Sequence, residues 1–200
     1  MYRNFFKRIL DFLLALLICP FVALVVLVMA PFIYFSDPGP IFYNAKNRVG
    51  KDGKFFKMFK LRSMYVNAPD IRNADGSTFN GDNDPRVTKI GRFMRKTSID
   101  ELPQLFNVLT GDMSFVGPRP TVSSKPLILN DLEPTVRKRY SVYPGITGYS
   151  QAYFRNSITQ EEKFIQDAYY ADHVSFILDM KIIFQTAIAV IQRKNIYIKK

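Results

Sequence analysis

The feature that most constrains this chain is a long uncharged stretch near its N-terminus. Residues 12–35 contain no charged side chain, and a straight helix of this length would cross a hydrocarbon layer of about 30 Å. Pro20 and Pro31 interrupt the stretch, and each can bend a helix because it removes a backbone hydrogen bond. Basic residues flank both sides, which draws both ends toward the cytoplasm. The pattern therefore fits either a spanning helix or a re-entrant helix that breaks at Pro20.

The composition narrows the chemistry that this chain can perform. Lys and Arg number 28 against 17 Asp and Glu, and the net charge of +11 suits an anionic partner such as acidic lipid, nucleic acid or a phosphorylated substrate. The single Cys19 excludes a disulfide framework. The single His173 leaves little scope for a histidine-ligated metal or a Ser-His triad. Catalysis would therefore rest on carboxylates, Lys and Arg, and any metal should be an oxygen-liking ion such as Mg²⁺.

The remaining patterns predict an α+β fold that is mostly helical, with a small β-hairpin. We assign residues 1–36 to the membrane helix and residues 37–200 to a cytoplasmic globular domain with interfacial helices. Two β-prone runs at residues 41–43 and 55–61 enclose Asp-Gly, which is a strong hairpin signal. Residues 67–86 are rich in Asn, Asp, Gly and Pro, and this composition predicts a long, mobile loop.

Two helices near the C-terminus carry clear boundary signals. Thr159 and Glu162 form a capping-box pattern that opens a helix running toward His173. A second helix is predicted from about Ser175 to Gln192, with an uncharged part that is too short to span a bilayer. This last helix is therefore expected to be buried or to lie in the membrane interface.

Two adjacent carboxylates, Asp100 and Glu101, stand at the predicted start of a further helix. Pro103 lacks an N–H and fits only the first turn, so this helix should begin near Asp100 and stop at Gly111. Free N–H groups and the helix dipole favour an ionised carboxylate there, which can act as a nucleophile or a metal ligand. An ordinary helix cap is the alternative explanation of Asp100.

Several cations precede this carboxylate pair in the sequence. Lys60 and Arg62 close the second predicted strand, and Arg92 and Arg95 lie on a predicted basic helix at residues 89–96. Together they could form a cationic wall for a phosphate group. A solvated basic face is the alternative explanation.

Two further candidates follow the carboxylate pair. Arg119 lies between Pro118 and Pro120, so its guanidinium loses less entropy on bidentate binding of a phosphate. Asp179 lies near the start of the last predicted helix and is the weaker candidate for substrate binding, because capping also explains an acid in a first turn.

Five blocks of this sequence occur in the order that is characteristic of one protein family. They are residues 60–64, 98–104, 115–120, 144–148 and 178–182, with the sequences KLRSM, SIDELPQ, FVGPRP, PGITG and LDMKI. Through these blocks the chain resembles the bacterial sugar transferases, the monotopic phosphoglycosyl transferases that begin glycoconjugate assembly. The resemblance covers nearly the whole chain.

The resemblance implies transfer of a sugar 1-phosphate from a UDP-sugar to a polyprenyl phosphate, normally undecaprenyl phosphate, with Mg²⁺ required. It also implies a re-entrant helix broken at Pro20 and a location at the cytoplasmic face of the bacterial inner membrane. Three positions depart from the family pattern, where Asp, Gly and Ser are more familiar. They are Asn67, Phe154 and Cys19, and they bear on substrate preference and on the bend of the membrane helix.

The mechanistic hypothesis is a two-step displacement at phosphorus. Asp100 would attack the sugar-bearing phosphate and form a phosphosugar intermediate, which the lipid phosphate then takes over. Glu101 would help to hold Mg²⁺, while Lys60, Arg119 and Arg92 or Arg95 balance the charge of the phosphoryl group.

Two alternative functions use the same sequence features. A membrane-bound Mg²⁺-dependent nucleotide-sugar hydrolase would use the carboxylates to activate water. A non-enzymatic scaffold would use the basic surface to bind anionic lipid. Nucleic-acid binding is not expected, because a membrane helix gives it no advantage. The sequence indicates neither the sugar nor the oligomeric state.

Overall fold

The computed structural model describes residues 1–43, 47–71, 79, 81, 83–123, 125–155 and 157–192. Within them the chain is mostly helical with a few short strands, as predicted. Nine of the twenty residues of the predicted loop at residues 67–86 fall outside the described ones. The part of it that is described ends at a buried ion pair between Asp84 and Arg86, whose Oδ2 and Nη2 atoms lie 2.7 Å apart.

The N-terminal helix α1 (Lys7–Ser36) follows a π-helical turn at Tyr2–Phe6 and contains both Pro20 and Pro31. Its buried residues are spaced by four or seven positions, about one or two helical turns, so they form one stripe along the helix. They are Lys7, Asp11, Ala15, Val22, Met29 and Ile33. The large apolar side chains on its other faces are exposed. Within the described part of the chain, one helix is long and apolar enough to cross a membrane, and α1 with its preceding turn is that helix.

Both ends of α1 are bonded to the rest of the protein. Near its start, Lys7 Nζ lies 2.6 Å from Asp179 Oδ2, and Arg8 donates to the carbonyl oxygen of Met113 at 2.8 Å. Just beyond its end, Asp37 pairs with Arg62. A helix of 30 residues is about 45 Å long. The helix is therefore fastened to the domain near both of its ends.

A hairpin forms around the predicted Asp-Gly turn and is part of a three-stranded sheet, but its first strand is Arg48–Val49 and not the predicted run at residues 41–43. Strand β1 (Arg48–Val49) pairs antiparallel with β2 (Phe55–Phe56), and an isolated bridge joins Phe42 to Leu61. Asp52 and Gly53 in the connecting turn have φ values of 55° and 75°, which suits an Asp-Gly turn. Strand β4 (Thr121–Val122), which the sequence did not predict, pairs with the other side of β1.

Two helices flank the segment that holds the carboxylate pair. Helix α2 (Lys89–Thr97) begins at Thr88, whose side chain accepts a hydrogen bond from the Gly91 N–H. Helix α3 (Gln104–Leu109) is followed by Gly111 with φ of 88°, so the predicted stop is confirmed. Leu105 and Val108 of α3 pack with Ala15 and Val22 of α1 in one core cluster.

A parallel strand pair and four helices complete the described fold. Strand β3 (Ser114–Val116) pairs with β5 (Gly145–Thr147), and the short helices α4 (Pro134–Lys138) and α5 (Tyr149–Tyr153) lie before and after β5. Helix α6 (Gln160–Asp172) carries the predicted capping box, and α7 (Phe176–Ile191) matches the predicted last helix. A second core cluster joins them through buried side chains that include Val116, Tyr170 and Ile182.

Candidate active site

The carboxylate pair lies in a tight turn between α2 and α3. Ser98 ends α2 with a left-handed backbone, φ 59°, and redirects the chain into a 3-10 turn at Ile99–Glu101. Pro103 then stands immediately before the first residue of α3, where its missing N–H costs no helical hydrogen bond. The predicted start near Asp100 is therefore a short 3-10 turn, and the α-helix itself begins four residues later, at Gln104.

Asp100 is buried, with 2% of its surface exposed, and its carboxylate contacts the side chain of Lys60. The distance from Asp100 Oδ2 to Lys60 Nζ is 2.9 Å. The N–H of the next residue, Leu61, donates to the Asp100 carbonyl oxygen at 3.0 Å, so the strand end and the turn are joined directly. Among the described residues, Oδ1 has no hydrogen-bond partner, which leaves one carboxylate oxygen available to a substrate.

Glu101 is held by two cations. Its Oε1 atom lies 2.8 Å from Arg119 Nη2 and 3.3 Å from Lys60 Nζ. Burial raises the pKa of Glu101, but the charges and hydrogen bonds of Arg119 and Lys60 outweigh it and hold this pKa well below its usual range. The attraction of Glu101 in turn raises the pKa of Arg119. Glu101 is therefore an anion at neutral pH.

Arg119 is positioned by its backbone as well as by its flanking prolines. Its carbonyl oxygen accepts a hydrogen bond from Arg139 Nη2 at 2.8 Å. Arg139 is buried and forms an ion pair with Asp167 at 2.9 Å, and Ser150 Oγ donates to the other oxygen of Asp167 at 2.7 Å. Arg139 was not among the site residues predicted from the sequence. Its partner Asp167 lies 28 residues away on another helix, and no local pattern in the sequence links the two residues.

A large cleft of about 1450 Å³ brings most of the predicted site residues together. They are Lys60, Arg62, Arg95, Asp100, Glu101 and Arg119. Arg155 and Lys163 line another part of the same cleft. The excess of cations over carboxylates suits a ligand that carries several negative charges, such as a nucleoside diphosphate.

Two of these cations also have structural partners. Arg62 is 6% exposed, pairs with Asp37 and donates to the carbonyl oxygen of Pro40 at 2.6 Å. It therefore fastens the end of α1 to the edge of the cleft. Arg95 donates from Nε to Ser63 Oγ at 3.0 Å, which orients its side chain.

Two other predicted residues do not line the cleft. Arg92 lies on α2 with an exposed side chain. Asp179 is buried, and its carboxylate accepts hydrogen bonds from Tyr2 and Tyr170, both at 2.7 Å, in addition to its pair with Lys7. Burial, together with this carboxylate, raises the pKa of Tyr170. Asp179 on α7 thus links this helix to Tyr170 on α6 and to Lys7 on α1.

The metal prediction concerns Glu101, a carboxylate of the kind that Mg²⁺ binds, and it stays a prediction. Among the described residues, no group of three or more His, Cys, Asp or Glu side chains is arranged to hold a metal ion. Mg²⁺ is often bound by one or two carboxylates, with substrate phosphates and waters supplying the other ligands. Asp100 and Glu101 present carboxylate oxygens of this kind in the cleft.

Comparison with known proteins places this arrangement in a family. A sequence model of the bacterial sugar transferases matches residues 2–193. UDP-glucose:undecaprenyl-phosphate glucose-1-phosphate transferase of Escherichia coli (strain K12) is 40% identical over 185 residues, covering 90% of this chain and 39% of that protein. Undecaprenyl-phosphate galactose phosphotransferase of Salmonella typhimurium is 37% identical over 205 residues, covering 97% of this chain and 42% of that protein.

A third relative is similar in length to this chain. An uncharacterized sugar transferase of Bacillus subtilis, EpsL, is 37% identical over 190 residues, covering 95% of this chain and 89% of that protein. The chain therefore spans about two fifths of the first two relatives and nearly all of the third. The family match across almost the whole sequence leads to one conclusion: this chain belongs to the bacterial sugar transferase family.

Proposed function

We propose that this protein transfers a sugar 1-phosphate from a UDP-sugar to undecaprenyl phosphate and releases UMP. The observation that carries the proposal is the Asp100 carboxylate, which is paired to Lys60 through Oδ2 and is free at Oδ1 within a cationic cleft. The names of the relatives support the same reaction class, because they specify undecaprenyl phosphate as acceptor with glucose 1-phosphate or galactose phosphate as the transferred group. The reaction would be the first membrane step of bacterial glycoconjugate biosynthesis.

In the first step, Asp100 Oδ1 attacks the phosphorus that carries the sugar. A bond forms between this oxygen and phosphorus, and the bond from phosphorus to the bridging oxygen of the diphosphate breaks. The electron pair leaves with UMP, and the sugar phosphate remains on Asp100 as an acyl phosphate. Lys60 orients the carboxylate through its contact at 2.9 Å.

In the second step, an oxygen of undecaprenyl phosphate attacks the same phosphorus. The bond from phosphorus to Asp100 breaks, and its electron pair restores the carboxylate. The product is the undecaprenyl diphosphate sugar. Direct attack by the lipid phosphate is disfavoured by repulsion between two anions, so Lys60 and Arg119 support both steps by neutralising charge on the phosphoryl oxygens.

Glu101 and Arg119 form the second half of the site. Their contact at 2.8 Å keeps the planar guanidinium beside Asp100, where it can donate two hydrogen bonds to a phosphate. We assign Glu101 to hold Mg²⁺, which when bound supplies further charge neutralisation at the diphosphate.

The membrane arrangement that we propose is a re-entrant α1 at the cytoplasmic face. Lys7 and Arg8 bind the globular domain near one end of the helix, and Asp37 binds it just beyond the other end. If α1 crossed the bilayer, the domain that contacts both ends would have to follow it into the hydrocarbon. A bend at Pro20 that does not interrupt the helix would instead let its exposed apolar faces enter the membrane, while both ends and the buried stripe stay with the domain.

Mass spectrometry of protein quenched after incubation with a UDP-sugar and Mg²⁺, without lipid, tests the covalent step. A phosphosugar adduct on Asp100 is expected, and Asp100→Asn should lose both the adduct and UMP release. Absence of the adduct under conditions of turnover would exclude the covalent route. Steady release of sugar 1-phosphate without any lipid acceptor would identify a hydrolase instead. A panel of UDP-sugars, tested with undecaprenyl phosphate, would identify the donor.

A further inference from the structure

Asp11 is a buried carboxylate on α1 that the proposed mechanism does not use. Only 5% of its surface is exposed, although the large apolar side chains that flank it on the helix face outward. Burial of a carboxylate is costly unless the group is paired and hydrogen-bonded, and an apolar side chain would pack against the domain at lower cost. The presence of an acid at this position therefore has to be explained by its contacts.

Both carboxylate oxygens of Asp11 accept hydrogen bonds from strand β3. Ser114 Oγ donates to Oδ2 at 2.6 Å, and the N–H of Phe115 donates to Oδ1 at 3.3 Å. Lys7 Nζ, one helical turn earlier on α1, lies 4.0 Å from Oδ2. Ser114 is fully buried, and the side chain of Phe115 lines the cleft that holds the carboxylate pair. Asp11 therefore joins α1 to a strand that forms part of the wall of the active site.

Arg8, on the same turn of α1, binds the residues just before this strand. Its guanidinium donates to the carbonyl oxygens of Met113 at 2.8 Å and of Gly111 at 3.0 Å. Hydrogen bonds are directional, whereas apolar contacts are not and would let a strand shift along a helix at little cost. Arg8 and Asp11 together therefore fix the position of β3 along the axis of α1.

The segment that leads from β3 to Arg119 is short and hydrogen-bonded. The carbonyl oxygen of Val116 accepts a hydrogen bond from Tyr170 at 3.0 Å, and the N–H of Gly117 donates to the carbonyl oxygen of Thr147 at 2.8 Å. Arg119 follows only two residues later. A displacement of β3 along α1 would therefore also displace Arg119.

We propose that Asp11 is a positioning residue for the active site and that it acts through β3 on the guanidinium of Arg119. The proposal rests on the proposed function, since that function gives Arg119 its role at the reacting phosphorus. Loss of the acceptor oxygens of Asp11 loosens β3 and leaves the guanidinium less accurately placed. The rate falls because Arg119 neutralises charge on the phosphoryl group most effectively from one position. Helix α1 thus supports the site in addition to presenting its apolar faces.

Hydrogen exchange measured by mass spectrometry in detergent tests the structural link without requiring turnover. Asp11→Leu removes both acceptors at similar side-chain size, and the N–H groups of residues 114–117 and 119 should then exchange faster than in wild type. Tyr2→Phe is the matched control, because it removes a hydrogen bond to Asp179 of 2.7 Å near the start of the chain and leaves β3 untouched. Unchanged exchange in Asp11→Leu, or equally faster exchange in this segment of Tyr2→Phe, would overturn the proposal.

Asp11→Asn separates hydrogen bonding from charge. The Asn oxygen can accept from the N–H of Phe115, and its amide group can donate to Ser114 Oγ, so exchange and UMP release should stay close to wild type. If the negative charge beside Lys7 were the decisive feature, Asp11→Asn would be as impaired as Asp11→Leu. That result would overturn the assignment of Asp11 as a hydrogen-bonding positioning residue.

Kinetics of UMP release test the link to Arg119, with undecaprenyl phosphate and the donor that the panel of UDP-sugars identifies. Asp11→Leu should lower kcat by about tenfold, as expected for a catalytic group that is displaced but present. Tyr2→Phe should leave kcat near wild type. In an Arg119→Ala background, Asp11→Leu should cause little further loss of kcat, although it lowers the melting temperature equally in both backgrounds. The same proportional loss of kcat in both backgrounds would show a general effect on folding and would overturn the proposal.

Ser114→Ala provides a second variant that tests the same link if Asp11→Leu does not fold. It removes one of the two donors to Asp11 and keeps the N–H of Phe115, so it should change exchange and kcat in the same direction but less. Wild-type values of both would overturn the proposal. A wild-type protein that releases no UMP would instead contradict the proposed function, and the hydrogen-exchange result would still stand.

Discussion

At the scale of single residues, the site depends on the pairing of two cations with two carboxylates. Lys60 contacts both Asp100 and Glu101, while Arg119 contacts Glu101 alone. In the proposed mechanism, this arrangement leaves an oxygen of Asp100 available for nucleophilic attack and keeps the guanidinium of Arg119 close to the phosphate that reacts. Each member of the group therefore orients another member, and the effects of substitutions should not be additive.

The pair of Glu101 and Arg119 predicts a specific dependence of stability on pH. The pKa of folded Glu101 lies below its ordinary value of 4.5, so the pair contributes stability above that value and loses it as the pH falls toward the lower pKa. Arg119→Ala should therefore destabilise the protein most near neutral pH. The difference between wild type and variant should shrink below about pH 4.5, as measured by chemical denaturation in detergent. Arg119→Lys, which keeps the charge, should show a smaller difference, and a gap that is constant from pH 7 to pH 3 would contradict this account.

Substitution of Asp167 should affect catalysis indirectly, because Asp167 contacts Arg139 and Arg139 in turn contacts the backbone of Arg119. Burial raises the pKa of Asp167, and its contacts with Arg139 and Ser150 oppose that shift. Asp167→Asn should lower the kcat of UMP release and should also lower the melting temperature, since it leaves a buried arginine without its partner. In an Arg119→Ala background, the same substitution should cause little further loss of activity while it still lowers the melting temperature. Equal losses of activity in both backgrounds would show that Asp167 has a purely structural role.

At the scale of elements, local signals in the sequence were sufficient to predict helix ends and the hairpin turn. Pro103 and Gly111 marked the limits of α3, and Thr159 with Glu162 marked the start of α6. The Asp-Gly turn likewise marked the hairpin. These signals act within a few residues, so they can be recognised before the fold is known.

Contacts between distant parts of the chain could not be predicted in this way. Strand β4 pairs with β1 across more than 70 residues, and Arg139 meets Asp167 across 28. Arg62 was predicted to bind substrate, and the sequence did not indicate its contact with Asp37. Such pairs follow no periodic pattern, because they depend on how elements pack and not on the spacing within one element.

A substitution at Gly117 tests whether the pairing of β3 with β5 positions Arg119. A Cβ atom at this position would lie 2.2 Å from the carbonyl oxygen of Tyr143, which is backbone and cannot rotate away. Gly117→Ala should therefore displace the segment that leads to Arg119 and reduce kcat by about 10²-fold, the size expected for a misplaced catalytic group. Gly53→Ala is the control, because its Cβ would meet its nearest neighbour at 3.3 Å in a turn remote in sequence from Arg119. It should reduce stability through its positive φ while UMP release stays near wild type, and similar kcat losses in both variants would contradict the prediction.

At the scale of the whole molecule, the proposed reaction requires contact with both water and the membrane. Under the proposed function the donor is soluble in water and the acceptor phosphate is fixed at a membrane surface, so the cleft would have to face water while the apolar parts of α1 reach hydrocarbon. The many exposed apolar residues of α1, together with the cationic cleft beside its end, suit this arrangement. The anchors of α1 then determine how the cleft lies relative to the bilayer.

Single-cysteine labelling in sealed inner-membrane vesicles tests this topology directly. In a Cys19→Ser background, Asn4→Cys and Ser36→Cys place one thiol near each end of α1, and both positions are exposed. Lys125→Cys, on the surface of the globular domain, reports the cytoplasmic side. A re-entrant helix predicts that a membrane-impermeant maleimide labels all three from the same side, because both ends of α1 remain bonded to the domain. Labelling of Asn4→Cys from the opposite side to Ser36→Cys would establish a spanning helix, and the polar contacts of Lys7 and Arg8 with the domain would then have to be absent in the membrane-bound protein.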